Sequence, residues 1–397
     1  MKCTDASCIQ QQGGVINQYM ADIHRGYNTS RGDCFVKPKI LSEEAKKPIY
    51  FSPWDLPLFS FNYIQKGLLF RLPENQDFSI ATFLDDLKDS LSATLTYFHP
   101  LAARLATVKQ QKPPSLVAFL DHENSPGARF IHSTVDLRIS DVLEPTDVPL
   151  IVQSFFDHHE AISHDGHQLS LLSIQVTELI DGIFIGCSIN HMVADGTSYW
   201  QFFNSWSEVF RSKTQNGHLA PVSRPPILER LIPAGSDPII SLPFTDDDEL
   251  IERYSPPFLR ERIFHFSSDS LSKLKAKVNS DCNTTKISTL QGLSALVWRC
   301  VTRARQLPAD QETGCRLAFL DPNSVHMGSS PRFDMYGNEF GLGKGVAVLS
   351  GFANKFDGKM TLYPGRDGGG SMDLEVCLLP ENMAAFESDE EFLSVVS

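Results

Sequence analysis

The chain has 397 residues, which is enough for two or three domains or for one large α/β unit with a substantial core. Its hydrophobic fraction of 42% and charged fraction of 21% are those of an ordinary globular protein and exclude a disordered, collagen-like or disulfide-scaffold chain. The net charge of −13 argues against a general polyanion-binding surface, so we expect no nucleic-acid partner.

Targeting and metal-binding patterns are the next features to consider. No apolar run approaches the roughly 20 residues of a transmembrane helix, and the first residues lack the basic and apolar segments of a signal peptide. We therefore expect a cytoplasmic protein with no membrane partner. The eight cysteines are scattered, without a C-x-x-C pair or a zinc-like spacing to histidines, so we expect no metal site.

The first part of the chain predicts a lead and then an α/β lobe. Residues 1–33 are polar and lack apolar periodicity, which predicts a poorly ordered lead before structure begins at Cys34. A helix is predicted to start after the N-cap Ser79 and to end before Pro100, because apolar residues recur there at three- and four-residue steps. Strand-like runs lie at 35–39, 47–51, 65–72, 116–121 and 128–135, and the last two are predicted to pair with each other.

The clearest pattern in the chain follows these strands. Two β-type runs at 171–179 and 183–189 are separated by an Asp-Gly pair, which predicts a two-residue β-hairpin. After Gly196 the aromatic residues have the spacing of one face of a helix. His191 is therefore predicted to lie on the turn between a buried strand and a helix.

A boundary between two lobes is predicted in the middle of the chain. The proline-rich, polar segment 213–257 is typical of a crossover linker, and it separates an N-terminal lobe at 34–212 from a C-terminal lobe at 258–397. The C-terminal lobe is predicted to contain strands at 261–266, 345–350 and 371–378, the last two joined by a glycine-rich loop, and helices at 269–278 and 288–305. The second helix is predicted to face inward with Leu290, Leu293, Val297, Val301 and Ala304.

One histidine is a candidate general base. The pattern H-x-x-x-D starts at His132, His191 and His265, but only His191 leaves a buried strand and precedes a helix, and such a turn can project an imidazole into a cleft. Imidazole titrates at about pH 6.5, so a largely neutral ring can take a proton from a hydroxyl or amine as it attacks an electrophile. Asp195 is expected to hold the loop rather than to share protons with His191.

Other chemistries have less support in the sequence. A G-x-S-x-G nucleophile elbow and a P-loop are both absent, and the closely spaced glycines at 341–345 lack the strand-to-helix context of a dinucleotide site. Lys273, Lys275 and Lys277 form the concentrated basic feature of this acidic chain. A solvated helix face is the commoner explanation for such a cluster, and a phosphate contact is the alternative.

Three stretches together resemble a known family. They are 97–104 (YFHPLAAR), 191–198 (HMVADGTS) and 340–344 (FGLGK), and their order is that of the plant BAHD acyltransferase family. The similarity runs from about residue 34 to the C-terminus. It implies an α/β fold of two chloramphenicol-acetyltransferase-like lobes, with mixed β-sheets flanked by helices and an active-site channel between the lobes.

The resemblance also implies a reaction. The family transfers acyl groups from coenzyme A thioesters to alcohols or amines, which implies acyl-CoA as co-substrate, a small-molecule acceptor and no permanently bound cofactor. His191 is implied as the base and Asp195 as a structural partner that points away from the substrate. Lys273, Lys275 and Lys277 are then the candidate contacts for coenzyme A. Relatives are commonly monomeric, so we expect a monomer.

A family motif is altered in this sequence. The family's aspartate-phenylalanine-glycine-tryptophan-glycine motif has Glu339 at its first position and Leu342 at its fourth. That motif is regarded as structural, so moderate variation is compatible with activity. The structural residues implied by the resemblance are Gly196, Phe340, Gly341 and Gly343.

The spacing between motifs is shorter than the family's. Asp195 and Glu339 are 144 residues apart (339 − 195), which predicts that a segment is missing from the C-terminal lobe near 318–320. The absent stretch would contain the arginine that pairs with the aspartate in relatives, and lost central strands would leave unpaired edges. A shortened isoform or a faulty gene model would explain the spacing.

Three hypotheses follow for function. The first is an acyltransferase that moves an acyl group from a coenzyme A thioester to a hydroxyl or amine of a small plant metabolite, with a histidine base. The second keeps the fold for a lyase or hydrolase acting on a phenolic or chorismate-type conjugate without coenzyme A. The third is an inactive truncated isoform that acts as a non-enzymatic binder.

Overall fold

The computed structural model describes residues 28–73, 78–228, 240–246, 249, 251–308, 323–328, 331–352 and 354–397. The first half forms β1 (Asn28–Val36), β2 (Ile49–Tyr50), β3 (Ile64–Arg71), α1 (Ile80–Leu95), β4 (Arg104–Gln111), β5 (Pro114–Asp121), β6 (Ala128–Val135), α2 (Ile139–Leu143), β7 (Leu172–Glu178), β8 (Gly182–Ile189) and α3 (Gly196–Asn216). The second half forms β9 (Arg260–Phe266), α4 (Ser268–Asp281), α5 (Thr289–Ala304), β10 (His326–Gly328), β11 (Ala347–Ser350), β12 (Lys359–Pro364), β13 (Met372–Leu378), α6 (Pro380–Phe386) and α7 (Glu390–Leu393). Four short 3₁₀ helices lie within the described residues, at Leu56–Ser60, His99–Ala102, Leu150–Phe155 and Ser163–His167.

The described strands form three sheets. A six-stranded sheet has the order β1-β6-β7-β8-β3-β11, a three-stranded sheet has the order β2-β5-β4, and a four-stranded sheet has the order β10-β12-β13-β9. We call the first two sheets with α1 to α3 the first lobe, and the four-stranded sheet with α4 to α7 the second lobe.

The core of the first lobe lies between the six-stranded sheet and the pair α1 and α3. Every residue of β8 is buried, as expected of a central strand. Trp206 on α3 is fully buried, and its indole nitrogen donates to the Ser90 hydroxyl on α1 at 3.0 Å. This bond satisfies the one polar atom of a large side chain and fixes α3 against α1.

The structure confirms the helix and hairpin predictions of the first lobe. Ser79 caps α1 by accepting from the backbone N–H of Thr82. β7 and β8 form an antiparallel hairpin in which Glu178 pairs with Ile183. α3 begins at Gly196 and buries the predicted aromatic face, and it continues to Asn216, a few residues into the segment predicted as linker.

Two predictions about strands in the first lobe are wrong. Residues 28–33, predicted as part of a disordered lead, belong to β1, which pairs with β6 over its length because the sheet edge supplies partners for its backbone polar groups. The rest of that lead, 1–27, lies outside the described residues. The runs at 116–121 and 128–135 do not pair with each other: β5 pairs with β4 and β2, and β6 pairs with β1 and β7.

The predicted lobe boundary also needs correction. β11 belongs by sequence to the C-terminal lobe, but it pairs with β3 as the outer strand of the six-stranded sheet. The loop that was predicted to join 345–350 to 371–378 contains an additional strand, β12, which pairs with β13. On α5, Leu293, Val297, Val301 and Ala304 are buried as predicted, whereas Leu290 is 40% exposed because it lies in the first turn.

The crossover segment packs on the first lobe where it is described. Leu242 and Leu116 exchange two backbone hydrogen bonds of 2.8 and 2.9 Å, so this part of the linker extends the edge of the three-stranded sheet. Within the ranges that the structure covers, no helix combines the length and the apolar character needed to cross a membrane.

Candidate active site

His191 lies on the turn between β8 and α3, and its neighbour Asn190 holds that turn. The Asn190 side chain is buried; its oxygen accepts from the backbone N–H of Met192 at 3.0 Å, and its amide nitrogen donates to the carbonyl of Ser163 at 2.7 Å. The backbone N–H of Val193 donates to the Asn190 carbonyl at 3.2 Å. Asn190 therefore fixes where the next residue's imidazole points, a role that sequence analysis missed although the residue directly precedes the motif.

The His191 imidazole is in an environment that favours its neutral form. Its ring meets the Phe61 ring edge-on with centroids 5.7 Å apart, and its Nδ1 is buried without a hydrogen-bond partner among the described residues. Burial lowers the pKa of His191, and the positive charge of Lys359 lowers it further, while Asp195 opposes both. At neutral pH the ring is therefore uncharged and able to accept a proton.

Asp195 serves as the N-cap of α3. Its Oδ1 accepts from the backbone N–H of Ser198 at 2.7 Å, and its side chain is exposed. No basic side chain in the described part of the chain comes within ion-pair distance of it. Gly196 follows as the first residue of α3, where an added Cβ would be 3.7 Å from the Phe333 ring, an ordinary contact.

The segment 339–343 packs behind α3 rather than beside His191. Phe340 is fully buried, and its ring lies 4.7 Å from that of Trp206 and 5.5 Å from that of Phe203, centroid to centroid. Gly341 and Gly343 have φ values of 71° and 78°, a left-handed conformation that glycine adopts without strain. These residues anchor a loop from the second half of the chain in the aromatic core of the first lobe. They therefore contribute to the site by supporting α3.

The three predicted coenzyme A lysines lie on the exposed face of α4. Lys273 pairs with Asp269 at 2.7 Å and Lys277 with Asp281 at 2.8 Å, and all four side chains are more than half exposed. Lys275 is also exposed. These i, i+4 pairs offset the positive charge of the helix, and no hydrogen bond or ion pair between described residues joins these lysines to the His191 turn.

The other two H-x-x-x-D histidines lie in strands and contact carboxylates there. The Nε2 of His132 lies 2.5 Å from the Glu178 carboxylate on the neighbouring strand. The Nδ1 of His265 lies 2.6 Å from Asp373 and its Nε2 lies 3.3 Å from Asp367. Carboxylate partners of this kind explain both histidines without a catalytic role.

Sequence analysis missed a buried charged cluster where β3 of the first lobe meets β12 and β13 of the second. The Lys66 Nζ donates to the Tyr363 hydroxyl at 2.6 Å, and that hydroxyl donates to Glu375 at 2.7 Å. Ser350 on β11 also donates to Glu375, at 2.6 Å. The available signal was a lysine inside the otherwise apolar run of β3, because a charged residue in a buried strand requires a partner.

An ion pair completes this cluster. Lys355 is buried and the Glu261 side chain is 11% exposed, with Nζ and Oε2 2.5 Å apart. Burial alone would raise the pKa of Glu375, but Lys355 and Lys66 lower it to below its usual range, so the carboxylate is charged. We call Lys66, Lys355, Lys359, Glu261, Tyr363 and Glu375 the lysine seam.

The loop before β12 is joined to the neighbourhood of His191. The backbone N–H of Asn62 donates to the Asn354 side-chain oxygen at 3.0 Å, and the Asn354 amide donates back to the Asn62 carbonyl at 3.1 Å. Asn62 follows Phe61, whose ring contacts His191. This reciprocal pair ties the position of the lysine seam to that of the histidine.

Comparison with known proteins gives a family match over most of the chain. The model of the Transferase family matches residues 33–319 and 313–393. An uncharacterized acetyltransferase of Arabidopsis thaliana is 31% identical over 455 aligned residues, which cover 94% of this chain and 99% of the relative. The BAHD acyltransferase DCR of Arabidopsis thaliana is 29% identical and covers 88% of this chain and 89% of its own.

Solved structures share the fold. Vinorine synthase has a TM-score of 0.69 at 18% identity, covering 93% of this chain and 98% of its own. TRI101 of F. sporotrichioides, complexed with coenzyme A and T-2, has a TM-score of 0.66 at 15% identity, covering 88% of this chain and 99% of its own. These likenesses confirm the predicted α/β fold of mixed sheets flanked by helices.

The alignments also show that lengths differ. Because 94% of 397 residues is about 373, about 80 of the 455 positions aligned with the Arabidopsis acetyltransferase have no residue in this chain. The two stretches matched by the family model overlap at residues 313–319, which lie outside the described residues. With its family match and a 31% identical relative aligned over nearly its whole length, the chain belongs to the Transferase family and is a plant BAHD acyltransferase.

Proposed function

We propose that this protein transfers an acyl group from a coenzyme A thioester to a hydroxyl or amine of a small plant metabolite, with His191 as the general base. The observation that carries the proposal is the half-buried, neutral imidazole, held on the turn after β8, with a buried Nδ1 that has no hydrogen-bond partner among the described residues. A positioned base of this kind contributes about 10²- to 10⁴-fold to a proton-transfer step.

The reaction follows from this arrangement. His191 takes the proton of the acceptor O–H or N–H as the acceptor's lone pair forms a bond to the thioester carbonyl carbon. The tetrahedral intermediate then expels the thiolate as the C–S bond breaks, and the imidazolium returns the proton to the sulfur. No covalent enzyme intermediate and no bound metal are needed for these steps to balance.

Coenzyme A enters this proposal as a co-substrate. The TRI101 structure was determined with coenzyme A bound, which supports a thioester site in this fold. Lys273, Lys275 and Lys277 are kept as proposed contacts for its phosphates. Lys275 is the first to test, because no carboxylate in the described part of the chain pairs with it, whereas the other two are paired.

We further propose that the second lobe is shortened near 318–320. The excess of alignment positions over residues and the split family match support this interpretation. The acyltransferase names of the relatives do not favour a lyase, a hydrolase or a non-enzymatic binder. A cytoplasmic monomer without nucleic-acid or membrane partners is part of the same proposal, and the net charge of −13 supports the lack of a nucleic-acid partner.

A ligand-dependent thermal melt of the full chain tests the proposed donor. A ligand that binds only the native state raises the midpoint, so acetyl-CoA and free coenzyme A are expected to give a cooperative transition at higher temperature. Release of free thiol from acetyl-CoA in the presence of a panel of alcohols and amines then tests transfer. A midpoint temperature that neither ligand changes, together with no thiol release, would contradict the proposed function.

A further inference from the structure

The peptide unit that joins Phe61 to Asn62 is held from two sides. Its carbonyl oxygen accepts from the backbone N–H of Ser163 at 2.7 Å and from the Ser163 hydroxyl at 3.0 Å. Its N–H donates to the Asn354 side-chain oxygen at 3.0 Å. Because both polar atoms of this peptide unit are bonded, it can turn only by breaking a hydrogen bond, and the Cα that carries the Phe61 ring is fixed with it.

Ser163 also contacts the turn that carries His191. Its carbonyl oxygen accepts from the Asn190 amide at 2.7 Å, and the Asn190 side-chain oxygen accepts from the Met192 N–H at 3.0 Å. The Phe61 ring meets the imidazole edge-on, with centroids 5.7 Å apart. The backbone of the turn and the ring that packs on the imidazole are therefore both positioned from Ser163.

Asn354 is the member of this network that comes from the second half of the chain. Its backbone has a φ of 51°, a left-handed conformation in which asparagine is enriched. Its side-chain amide also donates to the Asn62 carbonyl at 3.1 Å. The next residue, Lys355, is ion-paired with Glu261 on β9. Asn354 therefore connects the first strand of the second lobe to the aromatic ring beside His191.

Packing has an unusual share in orienting the His191 imidazole. A catalytic histidine is commonly held by a hydrogen bond to its second ring nitrogen, but the Nδ1 of His191 is buried with no partner among the other described residues. Contact with Phe61 is then a main constraint on the direction of the ring. Direction matters because a general base must lie within hydrogen-bond reach of the proton that it takes, and a misplacement of about 1 Å can cost about 10²-fold in rate.

We propose that Asn354 is a positioning residue for His191: it holds the Phe61–Asn62 peptide unit and, through the Phe61 ring, sets the orientation of the imidazole. The proposal rests on the function proposed above, because it assigns Asn354 a part in that reaction. Asn354 acts through another residue, so its removal should lower kcat and leave the KM for acetyl-CoA little changed.

Histidine NMR of the full chain tests the positional link without turnover. The ring current of Phe61 shifts the imidazole signals of His191 by an amount that depends on the distance and tilt between the two rings. The signals are assigned with His191→Gln and recorded at pH 8, where the lowered pKa of His191 leaves the imidazole neutral. Phe61→Leu gives their position without the aromatic ring. We expect Asn354→Gly to move them toward that position.

The variants are chosen to remove one interaction each. Glycine adopts a left-handed φ without strain, so Asn354→Gly removes the side chain alone. Asn283→Gly is the matched control, because Asn283 has a φ of 49° and is exposed between α4 and α5, and we expect no change in the signals or in kcat. The signals of His132 and His265 in the same spectra report whether the fold is retained. If Asn354→Gly does not fold, Ser163→Ala removes the hydroxyl donor to the same peptide unit and should move the signals in the same direction by less.

Turnover separates a positioning role from a merely structural one. In assays of thiol release from acetyl-CoA, Asn354→Gly should lower kcat by about 10-fold. In a Phe61→Leu background the same substitution should cost little more, because both changes act through one ring and contacting residues are not additive.

The outcomes against the proposal are equally specific. His191 signals that stay in place in Asn354→Gly, a kcat that does not fall, or a loss that is as large in the Phe61→Leu background would each overturn it. The NMR readout is independent of activity. A wild type without thiol release whose signals respond as expected would count against the acyl-transfer proposal, whereas an active wild type whose signals ignore Asn354→Gly would count against the positioning role alone.

Discussion

The His191 turn and the lysine seam are neighbouring parts of the site that are built in opposite ways. The turn is assembled from consecutive residues: Asn190 holds the backbone, His191 follows it, and Asp195 caps α3. The seam is assembled from β3, β9, β12 and β13, and its Lys66–Tyr363 contact joins residues 297 positions apart. The reacting group thus depends on local structure, and the charges around it depend on how the two lobes meet.

Removing the imidazole should have the largest effect on turnover. His191→Ala is expected to lower kcat/KM by about 10²- to 10⁴-fold because it deletes the base while leaving the turn to Asn190. Steady-state assays of thiol release measure the loss. His132→Ala and His265→Ala are matched controls, since those histidines pair with carboxylates in strands, and a loss in either as large as that in His191→Ala would contradict the assignment.

Breaking the seam should act on stability rather than on chemistry alone. Lys355→Met leaves the Glu261 carboxylate buried without its partner, which should cost about 3 to 5 kcal/mol of unfolding free energy. Urea denaturation measures it. The double variant Lys355→Met with Glu261→Gln should recover part of the lost stability. A double variant less stable than the single one would show that the unpaired carboxylate does not cause the loss.

The cap of α3 should contribute less. Asp195→Ala removes the acceptor for the Ser198 N–H and should cost about 1 kcal/mol, because an uncapped N–H is then left to water. Asp195→Asn keeps an acceptor and should be nearly as stable as the wild type in the same denaturation experiment. Equal losses in both variants would indicate that the negative charge, not the cap, stabilises this end of the helix.

The smallest effect is expected in the pH profile. Because burial and Lys359 lower the pKa of His191 below its usual 6.5, kcat/KM should rise with pH, reach half its maximum below pH 6.5 and be level at pH 7. Lys359→Met should shift this acid limb to higher pH. A half-maximum above pH 6.5 in the wild type would mean that another group controls the limb.

Local signals account for what the sequence predicted correctly. The β7–β8 hairpin follows from an Asp-Gly turn between two apolar runs, and α3 follows from aromatic spacing after a capping residue. Those two elements place His191, so the candidate base was predictable. Phe61, whose ring contacts it, and Lys359, whose charge lowers its pKa, come from distant segments and were not predictable.

The sequence-based predictions were wrong where they depended on which strands pair with each other. β5 and β6 have strand-like patterns that say nothing about partners, and they belong to different sheets. Residues 28–33 have no apolar periodicity because an edge strand owes its order to backbone pairing. The seam lysines show no pattern at all, since each is one residue in a separate strand or loop and only the fold brings them together.

The position of β11 has a consequence for how the chain matures during synthesis. The ribosome delivers nearly all of the first lobe before residue 230, yet the outer strand of its large sheet is Ala347–Ser350, and Phe340 fills its aromatic core. Until about 350 residues have been translated, β3 has an open edge and the core has a vacant place for one aromatic ring. The nascent first lobe thus stays incomplete while most of the second is being made, and neither half of this polypeptide is expected to mature as a separate fragment.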